Sequence, residues 1–420
     1  MSLVPVHGGG ELVNRILPFS RKKGLAAEAG ELPKIAVTDA DLSVVYRIAD
    51  GTLSPLTGFM DKATYNHVLD EKCIIVGGRA YAWTIPYALP VTEDEAKALR
   101  PGHSAVLVDS TGAVFGVIHV TTVWPWEKQR YVEKVYGTSR LDHPGADIVM
   151  KDERHILVGG DIEVLPARRN AEYGDLMYSP RRTRQMIAER GFEACLAFQT
   201  RNPLHRAHEY ALVYGAETLT RAGLYAGVVL NPLVGQLKGD DVDASTRVKA
   251  YRKLRDMRLL GQGDSDRALW DGVGYDINDV FELVCLDQKM FYGGPSEAVM
   301  HAIYRQNHGF SHIVIGRKHA DAPYHDKTNI WGDFDAQEIF HNLAGELHTK
   351  PVKVGFAAFY ESMGRVDLTE NHPGEAPYSI SGTKMREQLV GGQRPDPRII
   401  RGEIADVLIE AYQAKMAAAQ

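Results

Sequence analysis

From residue 192 onward, short apolar runs alternate with longer stretches of helical periodicity. "FEACLAF" is followed by "LHRAHEYALVYGAETLTRAG", which Gly223 closes, and then by "LYAGVVL", "DASTRVKAYRKLRDMRLL", "PSEAVMHAIYRQNHG" and "SHIVIG". Strand and helix repeating in this order require a parallel sheet with helices packed on its faces, so the fold class is α/β. Ser179 before Pro180 has the form of an N-cap with proline at the first helical position, opening a helix through "RRTRQMIAERG". Upstream the pattern is different. "AYAWTIPYALPVT" and "SAVLVDSTGAVFGVIHVTTVWPW" are β-rich and broken by Gly, Pro and Asp turns, which predicts a hairpin-rich sheet or barrel. "VLPARRNAEYGDLMYSP" loses periodicity and connects the two parts, and the rhythm changes again near "TKPVKVGFAAFYESMGR". The predicted divisions are 1–165, 166–354 and 355–420. The Gly- and Asp-rich stretch around 258–280 is expected to be a loop or insertion, and no internal repeat or low-complexity tract is present.

The densest chemistry lies in "FQTRNPLHRAHEY". With the strand ending at Phe198, Gln199 to Pro203 form a loop at the carboxyl edge of the sheet, where open α/β folds bind ligands. His205 and His208 fall in the first turn of the following helix, on one face. A helix N-terminus attracts phosphate or sulfate oxygens, Arg201 adds a permanent planar cation, and Gln199 and Asn202 add neutral donors. The pattern suits an anion cradle. A metal site and two ordinary satisfied histidines are the alternatives; the former lacks the HExxH glutamate and any zinc-spaced Cys or carboxylate partner.

"IVIGRKHADAP" repeats the logic, with Gly316, Arg317, Lys318 and His319 following a strand end at Ile315, although a solvated basic turn would look the same. "NPLVG", residues 231–235, is a further strand-exit loop suited to holding a flat base through backbone contacts. Asp240, Asp241 and Asp243 fit helix caps better than metal ligands. In "ISGTKMR", Ser381 and Thr383 could cap a helix carrying Arg386. The chain has no GxxxxGK[ST], GxGxxG or GxSxG motif, and no cysteine in a nucleophile context. The chemistry implied is therefore direct displacement between two bound substrates, driven by positioning and charge neutralisation.

A net charge of -6 provides no bulk field for nucleic acid or anionic membrane, so any anion site must be local. Cys73, Cys195 and Cys285 form no CxxC, which argues against structural zinc and for a reducing compartment. No secretory h-region or transmembrane run is found, and a cytoplasmic protein is expected.

"QTRNPLHRAHEY", "NPLVG", "MFYGGPSEA", "GRKHADAP", "DAQEIF" and "ISGTKMR", with "GGGELVNR" and "LSPLTGFM" before them, closely resemble the ATP sulfurylases (sulfate adenylyltransferases), in the same order over nearly the whole chain. The resemblance implies a PUA-like N-terminal domain, a Rossmann-like nucleotidylyltransferase catalytic domain and a small C-terminal α/β domain. It implies conversion of ATP and sulfate to adenosine 5'-phosphosulfate and pyrophosphate by in-line attack at the α-phosphorus, with Mg2+ carried on ATP or pyrophosphate. Gln199, Arg201 and the Ala320 backbone would hold sulfate. Gln199, Asn202, His205, His208, Leu233, Val234, Gly316, Arg317, His319 and Ala358 would contact ATP, and Thr200, Arg201, Asn202, His205, His208 and Arg317 would be catalytic. A homodimer is also implied, and the tail after "ISGTKMR" is too short for the fused kinase-type domain of some relatives. Three positions depart from the family pattern: Lys318 stands for an acid, Asp321 for a glycine and Asn231 for the commoner histidine. Two other functions are compatible with parts of the sequence. One is an HxxH nucleotidylyltransferase with a different acceptor; the other is RNA binding led by the first domain, which the acidic balance disfavours.

Overall fold

The computed structural model describes residues 3–235 and 242–418. Residues before the connector build a six-stranded, mostly antiparallel sheet. Its path runs Lys34–Ala36, Ser104–Val108, Val114–Pro125, Ile156–Val164 and Gly58–Phe59, with Leu89–Val91 also pairing with Ile156–Val164. The hairpin between Ser104–Val108 and Val114–Pro125 is closed by Asp109, whose Oδ1 accepts the N–H groups of Thr111 (2.9 Å) and Ala113 (3.0 Å), while Gly112 supplies a φ of 81°.

The second sheet has five strands: β1 (Ala194–Thr200), β2 (Ala226–Pro232), β3 (Phe281–Leu283), β4 (His312–Ile315) and β5 (Lys350–Lys353). They run parallel in the order β3-β2-β1-β4-β5. The chain steps outward from β1 to β3, then returns to the other side of β1, so the strand order reverses between β1 and β4. A crevice for ligands opens at such a reversal, outside the carboxyl ends of the strands. The helices are α1 (Pro180–Glu189), α2 (Arg206–Arg221), α3 (Ala244–Asp256), α4 (Arg267–Val273) and α5 (Gly294–His308). Ser179 caps α1 by accepting the Arg182 N–H at 3.3 Å, with Pro180 at the first position. Asp243 caps α3 through the Thr246 N–H at 2.8 Å, as its residue type suggests; Asp240 and Asp241 lie outside the described residues. α2 and α5 are followed by Gly223 and Gly309 in the left-handed region, at φ 81° and 92°.

Two sequence expectations need correction. β1 does not stop at Phe198; it continues through Gln199 and Thr200, which pair with Asn231 and Pro232 of β2. Polar side chains at a strand's end read as loop, but backbone pairing does not depend on them. The 258–280 stretch is not an irregular loop either. Its aspartates and glycines punctuate short elements: Asp266 caps α4 through the Leu269 N–H (3.2 Å), and Gly274 ends it at φ 78°. Trp270 and Ile277 are buried in the core, and the strand β3 follows.

One apolar cluster joins the parallel sheet to Phe359, Leu389, Ile404 and Leu408 from the last part of the chain. There the hairpin Ala357–Tyr360/Arg365–Leu368 precedes helices Gly382–Val390 and Gly402–Ala418. Ser381 caps the first of these helices through the Lys384 N–H (3.2 Å), whereas Thr383 lies inside it. A second cluster fills the N-terminal sheet. α5 serves both clusters: Ala298 and Ala302 pack in the first, Val299, Met300, Ile303 and Tyr304 in the second. Among the described residues no helix is long and apolar enough to cross a membrane, and Cys73, Cys195 and Cys285 are buried and unpaired.

Candidate active site

The carboxyl ends of β1 and β4 open into one cavity of about 490 Å³. From β1 and its exit loop, Gln199, Thr200, Arg201, Asn202 and His205 line it, with His208 from the first turn of α2; from the loop after β4, Gly316, Arg317, His319 and Ala320 do so; Leu233 enters after β2. Eleven of the thirteen residues expected at the site are thus gathered in one place. Val234 and Ala358 are not among the lining residues. The Val234 N–H bonds the Leu286 carbonyl (3.1 Å), turning this residue to a separate cavity shared with Tyr173 and Cys285. Ala358 pairs with Asp367 in the hairpin, and it is Phe356 and Ala357 that face the site.

Each wall is built by local bonding. Thr200 is 8% exposed, and its hydroxyl is used within the turn, donating to the Asn202 carbonyl (3.1 Å) and accepting the Asn202 N–H (3.2 Å). Tyr251 of α3 donates to the same carbonyl at 2.7 Å. The turn fixed in this way carries Arg201, whose guanidinium lies 5.6 Å from the Tyr292 ring centroid. Its Nη1 is buried and has no hydrogen-bond partner among the described residues, a costly arrangement for a donor unless a ligand supplies the acceptor.

In α2 the sequence "HRAHE" divides its side chains between two directions. His205 is the N-cap, accepting the His208 N–H at 3.4 Å, and the two imidazoles stack with centroids 3.8 Å apart. Arg206 and Glu209 anchor the same turn on its other side. Arg206 grips Asp264 (2.5 and 2.8 Å), and Arg401 donates to both oxygens of Glu209 (2.8 and 3.1 Å). Burial pushes the Glu209 carboxyl up to about 7 against the opposing pull of Arg401. Burial lowers His205 to about 3, with a further push from His208, and burial also lowers His208 to about 4. Both rings are therefore neutral near pH 7 in the free protein, and polyphosphate arriving beside them would favour their charged forms. The helix end offers fewer open donors than its position in sequence suggests, because the Arg206 N–H is taken by the Ile399 carbonyl (2.8 Å) and the His208 N–H by His205 (2.9 Å).

The β4 exit loop is held in an imposed shape. Lys318 and Ala320 both adopt positive φ, 51° and 56°, and the Ala320 carbonyl accepts the Gly294 N–H at the start of α5 (3.1 Å). Arg317 stacks 3.7 Å over Phe356 and pairs with Asp333 at 3.1 Å, while Lys318 lies 3.6 Å from the same carboxylate. Asp321 lines the cavity, and both its oxygens are buried with no side-chain hydrogen-bond partner among the described residues; burial raises its pKa against the opposing pull of the Ala322 backbone N–H. Lys318, from the second basic cluster, also lines the cavity, as do Met290, Tyr292, Asp321 and Phe356, to which the sequence assigns no role. The "MFYGG" motif was the available signal for Met290 and Tyr292, and the departure from the family pattern was the signal for Lys318 and Asp321. Phe356 had none. Arg386 is not among the residues lining the cavity.

Comparison with known proteins agrees with this architecture. Residues 174–411 match the ATP-sulfurylase family model, and residues 4–167 match that of the PUA-like domain. A sulfate adenylyltransferase of Pyropia yezoensis is 52% identical over 98% of this chain and 97% of its own length. One from Halothermothrix orenii is 33% identical over 98% of this chain and all of its own length (100%). Among solved structures, a hexameric APS kinase from Thiobacillus denitrificans shares the fold, with a TM-score of 0.69 and 19% identity over 97% of this chain and 68% of that one. A parallel sheet with its cavity at the strand reversal, a PUA-like domain before it and full-length similarity at this level lead to one assignment: the chain belongs to the ATP-sulfurylase family.

Proposed function

We infer that the protein is a sulfate adenylyltransferase, joining sulfate to the adenylyl group of ATP with release of pyrophosphate, reversibly. The observation that carries this reading is the convergence of Gln199, Arg201, His205, His208 and Arg317 on one cavity from two strand ends. Two anions must be held side by side for an oxygen of sulfate to attack the α-phosphorus in line, and their mutual repulsion must be offset by fixed donors. Arg201 and Gln199 would bind sulfate, with the pinned Ala320 backbone beside them. Asn202, His205 and His208 would bind the phosphates, the histidines taking up charge as pyrophosphate departs. Arg317 would move from Asp333 to the α-phosphate region, a small change for an exposed pair. Sulfate oxygen displaces pyrophosphate directly, so no covalent enzyme intermediate forms, and among the described residues lining the cavity there is no serine or cysteine.

Magnesium would enter on the phosphates. Among the described residues no group of three or more histidine, cysteine or carboxylate side chains could hold a metal ion, and Asp321 is the one carboxylate lining the cavity. Its oxygens, unpaired with any side chain among the described residues, would suit a magnesium ion that keeps its substrate phosphates and several waters, neutralising charge on the polyphosphate. The same reading carries a cytoplasmic homodimer, for which the buried, unpaired cysteines support a reducing compartment.

Sulfate-dependent exchange of labelled pyrophosphate into ATP tests the activity directly. A folded sample that exchanges label only with some other acceptor, and never with sulfate, refutes it.

A further inference from the structure

Behind the cavity wall lies a chain of buried polar groups that the reaction as described leaves without a role. Arg305 of α5 is 1% exposed and makes no ion pair among the described residues. Its guanidinium donates to the Gln288 Oε1 (3.3 Å) and the Asn231 Oδ1 (3.4 Å). Gln288, 2% exposed, has its Nε2 3.3 Å from the Gln199 Oε1 and 2.7 Å from the His301 Nε2. The Nδ1 of His301, itself 1% exposed, stands 2.9 Å from the Nε2 of His319. Gln199 and His319 line the cavity.

This chain has a direction because one end cannot be reversed. A guanidinium only donates, so the Gln288 oxygen must face Arg305 and its amino group must face the site. That amino group donates to the Gln199 oxygen, which turns the Gln199 amino group away from Gln288; its nitrogen lies 3.5 Å from the same His301 Nε2, so one of its two N–H groups can face His301 while the other is left for a ligand. The Gln288 amino group also donates to the His301 Nε2, so a neutral His301 carries its proton on Nδ1 and gives it to the His319 Nε2. A neutral His319 must then carry its own proton on Nδ1. Burial holds both imidazoles below the usual histidine range, which keeps them neutral. The competing arrangement has the His301 Nε2–H donating to Glu297, whose Oε1 is 3.4 Å away. It would turn the Gln288 amino group against Arg305. Glu297 is meanwhile occupied by the N–H groups of Phe291 (3.1 Å) and Gly293 (2.9 Å).

We propose that Arg305 and Gln288 are positioning residues: acting through this chain, they fix Gln199 and His319 as hydrogen-bond donors toward the oxyanions of the substrate. The proposal rests on the sulfate adenylyltransferase reading for its ligand. Asn231 holds its place by donating to the Val284 carbonyl (2.9 Å), which turns its oxygen toward Arg305.

Long-range 1H–15N spectra of the unaltered protein with labelled histidine read the tautomers without turnover. The His301 and His319 signals are identified by their loss in single His→Gln variants. Both rings should carry the proton on Nδ1; a proton on the Nε2 of His301 overturns the proposal. Gln288→Glu keeps the shape and the Arg305 contact but replaces the inward donor with acceptors. It should convert His301 to the Nε2–H form and raise the KM for sulfate about tenfold or more, the loss of one donor to a charged acceptor. A folded variant with the parental tautomer and sulfate KM also overturns the proposal. Because the spectra need no substrate, absence of sulfate-dependent exchange in the parent refutes the activity alone and leaves the donor direction to be judged by the tautomers.

Discussion

Arg201→Ala separates a ligand-binding arginine from a structural one. In the folded chain the Arg201 guanidinium makes no ion pair among the described residues, and its aromatic contact, at 5.6 Å, is worth about 0.5–1 kcal/mol. Removing it also removes a buried donor left unpaired at Nη1, which offsets part of that loss. The expected stability change is within about 0.5 kcal/mol, read as a Tm shift of no more than about 2 °C. The effect on the reaction is of another order. Two charge-assisted hydrogen bonds to sulfate, each worth about 1.5–3 kcal/mol, sum to about 3–6 kcal/mol, or roughly 10² to 10⁴ in kcat/KM for sulfate. Sulfate-dependent pyrophosphate exchange measures the second quantity, and calorimetry on the same preparation measures the first. Arg201→Lys should recover part of the activity, since it keeps the charge and loses the fork. The reasoning fails if the alanine variant melts more than about 5 °C early, or if its sulfate kcat/KM falls less than about tenfold.

Three further outcomes follow from particular contacts. Arg401→Ala leaves Glu209 buried without its partner and should cost about 3–5 kcal/mol by denaturant unfolding, the opposite profile to Arg201→Ala. His205 and His208 have folded pKa values, about 3 and 4, below the unfolded value. Their contribution to stability is therefore complete above about pH 6.5 and is lost as pH falls toward those values; pyrophosphate should raise both midpoints in an NMR titration, and unchanged midpoints would remove them from the phosphate site. At Gly227 in β2 an added Cβ would lie 2.2 Å from the Phe192 ring, so Gly227→Ala should lower stability by about 1–3 kcal/mol in the same unfolding assay.

The parts of the fold legible in the sequence are those where local chemistry and tertiary demand coincide. Ser179-Pro180, Gly223 and Gly309 mark helix ends because capping and left-handed backbone are needed there whatever surrounds them. Arg201, His205 and His208 were readable as a site because a charged loop after an apolar strand has little other use. β3 escaped notice because three residues, Phe281–Leu283, show no periodicity. α4 escaped because its caps, Asp266 and Gly274, resemble loop residues until Trp270 between them is seen to be buried. Phe356 reaches Arg317 only through the packing of the final hairpin, which no local pattern encodes. The donor chain behind Gln199 joins residues from β2, the segment after β3, α5 and the β4 loop, and its members are ordinary residue types taken singly.

α5 gives its two faces to two different hydrophobic interiors. The buried residues of the first interior all lie within or after the connector, whereas the second borrows Leu286, Val299, Met300, Ile303 and Tyr304 from beyond it, so separating the two parts at the connector would open the second interior and strip one flank of this helix bare. Melting should then be a single event, and the first 165 residues are better regarded as part of the wall that supports the catalytic chamber than as an accessory that could be exchanged.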